Sequence, residues 1–170
     1  MSIPSTEHHN VSTAYQVGVF ALVRQRDTYL IVRPRVPLLP GGAHGLPGLT
    51  LQAPSGGNFV ESQLRRALLA QVGIGVADLR LVGSHAARGV QDGAADARLN
   101  LIFGSEYCSG ILNPQQDELL GAEWMDPPRL THAGLPEYLM AAIRDFETTL
   151  APVSVPEPTG RLSRLFNRQK

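Results

Sequence analysis

LPGLTLQAPSGGNFVESQLRRALLAQVGIGV, running from Leu46 to Val76, begins as a proline- and glycine-rich loop and turns into a helix. Asn58 offers a side-chain oxygen to cap the helix N-terminus, and Glu61 three residues later completes a capping-box pattern. Leu64, Leu68 and Val72 recur every fourth residue, which gathers them into one buried stripe. Gly73 stands where a helix C-terminus favours a residue tolerant of positive φ. The stretch therefore predicts a loop, a helix opening near Asn58, and a stop at Gly73.

This loop–helix–glycine segment resembles the signature of the Nudix hydrolase family. That signature reads Gly, five residues, Glu, seven residues, then Arg-Glu-apolar-any-Glu-Glu-any-Gly-apolar. Its end aligns over residues 66–74, with Arg66, Leu68, Gly73 and Ile74 matching. The carboxylates do not match: Asn58 stands at the first Glu, and Ala67, Ala70 and Gln71 stand at the other three. Gln52 falls on the leading glycine. Leu46-Pro47-Gly48 looks like the Leu-Pro-Gly-Gly that opens the motif, displaced by a short insertion. The resemblance covers residues 12–150 and implies an α/β Nudix fold, a mixed β-sheet sandwiched between helices. It also implies a structural role for Arg66.

Helix geometry says what the missing carboxylates would have done. At about 100° per residue, positions 67, 70 and 71 share one helix face, and the family uses three carboxylates there to hold divalent cations. Magnesium takes hard oxygen ligands, commonly carboxylates together with substrate phosphates. Two alanines and a neutral amide supply no such charge, so no metal site is expected at the family positions. Glu61 lies about 120° round the helix from position 67, on the Leu64/Leu68 side, and reads as a capping residue. Magnesium or manganese is implied only if hydrolase activity is retained.

Outward from this segment, the 170 residues read as one Nudix domain over 13–150. A flexible N-terminal tail, 1–12, precedes it, and a linker with a basic tail, 151–170, follows. The tail carries Arg161, Arg164, Arg168 and Lys170, and its structural reading is a frayed terminus. Net charge is zero and the pI about 7.0, which argues against a polyanion-binding surface and so against a nucleic-acid partner. No apolar run reaches membrane-spanning length and no signal-peptide pattern opens the chain, so a cytoplasmic protein without a membrane partner is expected. Cys108, the single cysteine, rules out an internal disulfide and reads as a small buried residue. His8 and His9 read as an ordinary exposed pair.

Two strands are predicted first: 15–23, apolar on both faces as a central strand is, and 29–33, the pair forming a hairpin. Pro34, Pro37, Pro40, Pro47 and Pro54, with six glycines, forbid regular structure through most of 34–57. Residues 78–85 alternate as a strand, 86–96 read as a Gly/Asp/Ala loop flanked by His85 and Asp92, and 97–107 as a long strand. Residues 113–130, NPQQDELLGAEWMDPPRL, resemble the Nudix closing segment: an acidic stretch, a strand anchored by Trp124, and a proline turn. Pro136 opens the last helix at an N1-like position, with Tyr138, Leu139, Ala142, Ile143, Phe146 and Leu150 as its apolar stripe.

The resemblance places the strand end and the long loop beside a substrate cleft. Arg33, Arg35 and His44 are thus the candidate ligand-binding residues. Many family members recruit a Glu from this closing region as a base or extra metal ligand, which makes Asp117 and Glu118 the candidate residual catalytic carboxylates. Two functions follow. One is a non-catalytic or strongly impaired binder of a small nucleotide-like ligand. The other is a divergent hydrolase of nucleoside-diphosphate-linked compounds that uses Glu118 or Asp117. A homodimer is common in the family.

Overall fold

The structure is a computed structural model that describes residues 15–39, 41–51, 59–91 and 94–150. Expectations for Gln52, Asn58, Asp92, both histidines at 8 and 9, and the segments 1–12 and 151–170 fall outside those residues.

The first half of the chain supplies β1 (Tyr15–Gln25), β2 (Thr28–Pro34), β3 (Gly48–Thr50), α1 (Phe59–Val72) and β4 (Ile74–Val76). The second half supplies β5 (Arg80–Gln91), β6 (Ala94–Gly110), β7 (Leu119–Met125), α2 (Pro127–His132) and α3 (Glu137–Leu150). The strands join in the order β4-β6-β1-β2-β7, with β3 on β1 and β5 on β6. The β1–β6 pair is parallel and every other pairing antiparallel, so the sheet is mixed as expected.

β1 lies at the centre, and its apolar alternation divides the core. Val19, Ala21 and Val23 pack with Leu64, Leu68 and Val72 of α1. Phe20 and Leu22 pack on the other face with Leu139, Ala142, Ile143 and Phe146 of α3. Burying side chains on both faces of one strand is what fixes its register and makes it the middle of three layers. Gly73, at φ +75, ends α1 as its position in the sequence requires. On the α3 side, the buried Tyr29 hydroxyl donates to Glu147 at 2.8 Å, and burial together with that carboxylate pushes the phenol well up. Tyr138 stacks on His85 at 4.1 Å and is pushed up to about 12 by burial.

Four expectations need correction. Residues 86–91 and 94–96 are strand rather than loop: β5 runs to Gln91, β6 starts at Ala94, and the two pair from Arg80↔Gly104 to Gln91↔Ala94. Their small and polar residues have weak strand preference, and the ladder with β6 overrides it. Cys108 is exposed rather than buried. The β4–β6 register passes from Ser109 to Tyr107 across a bulge, which leaves Cys108 as the extra residue. Pro136 sits one position outside α3, where its carbonyl accepts from Leu139 and Met140. Arg66 is exposed, and the neighbouring Arg65 makes the bracing contact, its Nη1 donating to the Val76 carbonyl at 2.6 Å.

Candidate functional site

The proline- and glycine-rich loop is held in three places, and these fix where each candidate side chain stands. Gly45 exchanges both backbone hydrogen bonds with Val32, at 2.9 Å each, which sets His44 at the rim of the sheet. Phe20 pairs with Gly48, so β3 lies along β1 past Arg24 and Gln25, where β1 pairs with β2. At the far end of β3, Arg98 donates to the Thr50 hydroxyl at 2.7 Å.

The third tie comes from α1. Gln71 Nε2 donates to the Gly48 carbonyl at 2.9 Å, and the Gly48 N–H donates to Gln71 Oε1 at 3.2 Å. One side-chain amide thereby satisfies both backbone groups of a buried residue, as a neighbouring strand would. An ionised carboxylate could not do both, because it has no hydrogen to give to the carbonyl. Nearby, Gln71 and Val72 carbonyls accept from Gln115 and Asn113, which brings the segment before β7 against the end of α1. Ala67 is half-buried and Ala70 exposed on the same helix.

Arg35 and the acidic turn are brought together. The Arg35 N–H donates to the Glu118 carbonyl at 2.9 Å and its Nε to the Gln116 carbonyl at 2.6 Å. Asp117 and Glu118 are both exposed at this turn. Arg33 is exposed at the end of β2, its guanidinium lying alongside Gly121 of β7. No group of three or more His, Cys, Asp or Glu side chains is close enough to hold a metal among the described residues. No helix among them is long and apolar enough to cross a membrane.

His44 separates two spaces of very different size. Beneath the loop, between residues such as Phe20, Val32, Leu46, Pro47 and Leu119, a recess of about 30 Å³ has room for water and nothing larger. On the other side, His44, Glu123, Met125, Pro128, Arg129 and His132 line an open groove of about 460 Å³. Sequence reasoning picked out His44 and missed the rest of this groove. Asp126 caps α2 by accepting from the Arg129 N–H at 3.0 Å, and Arg129 then reaches back to ion-pair with Glu123 on β7. His132 Nδ1 lies 2.6 Å from the Pro128 carbonyl, which can only accept, so Nδ1 is the donor of that pair. The Asp-Pro-Pro sequence at 126–128 marks a helix start, but nothing in the sequence joins that start to His44, eighty-odd residues earlier.

No family profile matches the chain. Over 108 residues, 63% of its length, the chain is 33% identical to the NAD-capped RNA hydrolase NudC of Pseudomonas aeruginosa strain LESB58. The match spans only 34% of that relative's length. A NUDIX hydrolase from Nitrosomonas europaea superposes with a TM-score of 0.59 at 19% identity, covering 80% of this chain and 90% of that one. The MutT protein of Methanosarcina mazei Go1 gives 0.61 at 16% identity, covering 84% and 99%. The NUDIX domain of Shewanella oneidensis NrtR, solved with ADP ribose, gives 0.61 at 14% identity, covering 81% and 89%. At such identities the likeness to solved structures establishes the fold alone. With its mixed sheet between α1 and α3 and its likeness to these solved structures, the chain has the Nudix fold.

Proposed function

We propose that this protein binds a nucleotide-like ligand and has lost, or nearly lost, the hydrolytic chemistry of its family. The observation that carries this is the use made of Gln71. Where the family places a metal-binding carboxylate, this chain has an amide whose donor and acceptor are both occupied by Gly48. Ala67 and Ala70 add no donor atoms on that face, so the residues present do not fit a divalent cation there. No step of the proposed function runs through a metal. Support for the ligand class comes from the relatives: one is named for hydrolysing NAD-capped RNA, and another was solved with ADP ribose. Both molecules join a nucleoside to a second group through a diphosphate.

A second function has its own support, since the NudC relative is named as a hydrolase and Arg35 fixes the turn that carries Glu118. In that case the protein is a divergent pyrophosphohydrolase with Glu118 as its base. Calorimetry with ADP-ribose in EDTA, run beside a phosphate- and nucleoside-monophosphate-release assay in magnesium and in manganese, separates the two. The proposal expects binding without turnover. Turnover that disappears in Glu118→Gln would replace it with the hydrolase.

A further inference from the structure

Among the described residues, the groove between the loop at 43–45, β7 and α2 is a space of ligand size. We propose that this groove takes the uncharged, ring-bearing end of the ligand. The proposal rests on the binder function above and gives that ligand a place. A volume of about 460 Å³ falls inside the range of roughly 300–1,000 Å³ usual for small-molecule sites, whereas the recess under the loop does not.

The lining chemistry selects the kind of group. Pro128 offers apolar surface beside the largely buried Met125, and the rings of His44 and His132 offer flat faces. Glu123 and Arg129 hold each other in place and keep spare capacity, because an arginine has five N–H donors and a carboxylate about four acceptor positions. A fixed donor beside a fixed acceptor matches the hydrogen-bonding edge of a heterocycle or two neighbouring sugar hydroxyls. Charge points the same way. Arg129 and Glu123 cancel, so this pair gives the lining no net attraction for phosphate. Among the described residues, Arg33 and Arg35, toward the end of β2, make no ion pair.

Amide NMR on ¹⁵N-labelled full-length protein tests this, with adenosine, AMP and pyrophosphate as probes. Adenosine and AMP are expected to shift the amides of residues 43–45 and 123–133, and pyrophosphate to leave them in place. Ala133→Trp, which fills the groove, should weaken adenosine about tenfold or more. Arg129→Ala, which leaves the groove open but removes a donor, should weaken it by roughly three- to tenfold. No adenosine-induced shift in the groove overturns the proposal, and so does the full pattern of shifts from pyrophosphate alone. ADP-ribose bound elsewhere with a silent groove defeats this inference and leaves the binder function standing. Adenosine seated in the groove while ADP-ribose fails to bind does the reverse.

Discussion

On one side of His44, Gln71 reaches from α1 to both backbone groups of Gly48, and the space beneath the loop admits only water. On the other side, Glu123 and Arg129 pair directly with each other on the lining of an open groove, 42% and 55% exposed. The closed side is built from neutral hydrogen bonds to buried backbone, where a missing partner is costly. The open side is built from an exposed ion pair, where a missing partner costs little. Stability and ligand access are thus assigned to different residues. Mutations on the two sides should separate cleanly.

The largest effect belongs to Gly48. A Cβ there would lie 2.2 Å from the Val19 carbonyl oxygen and 2.8 Å from Phe20 Cα, both backbone atoms that cannot move aside cheaply. Gly48→Ala should therefore cost about 3 kcal/mol or more in urea denaturation, beyond ordinary overpacking. A cost below about 1 kcal/mol would mean that β3 is not the fixed wall described above.

Gln71→Ala comes next, at about 1–3 kcal/mol, because it leaves a buried N–H and a buried carbonyl of Gly48 without partners. Gln71→Glu sharpens the point through pH. Its ionised form faces the Gly48 carbonyl oxygen, while its protonated form can donate to it, so the folded state raises the carboxyl pKa. Stability from that protonated contact is present below the unfolded value of about 4.3 and lost as pH rises through the folded pKa. Relative to wild type, Gln71→Glu should be worse at pH 7 than at pH 4. An equal deficit at both would show that the donor half of the clamp contributes nothing.

The contrast between the two sides also marks what the sequence could tell. β1, β2, α1 and α3 were legible because their apolar periods are local: alternation in 15–23, and the stripes at Leu64, Leu68, Val72 and at Leu139, Ala142, Ile143, Phe146. β3 and the full β5–β6 hairpin were not, since glycine-rich and small-residue segments become strands only through the partner beside them. The substitutions at 67, 70 and 71 were visible as letters, and the absence of carboxylates followed from them. That Gln71 had acquired a second task was not visible, because Gly48 lies 23 residues away. The groove is less legible still: its walls come from a loop, an edge strand and a short helix, none with a motif of its own.

The smallest stability effect should come from the pair that frames the groove. Arg129 and Glu123 are more than a third exposed, and water screens most of their attraction. A double-mutant cycle of Arg129→Ala and Glu123→Ala, read by urea denaturation, should give a coupling of about 0–1 kcal/mol. The same cycle read by adenosine affinity should give more, because a bound ring excludes water from the pair and each head then also holds the ligand. A surface pair present only for folding would give the same small number in both. Unequal couplings would place the value of Glu123 and Arg129 in the groove they border rather than in the stability of α2.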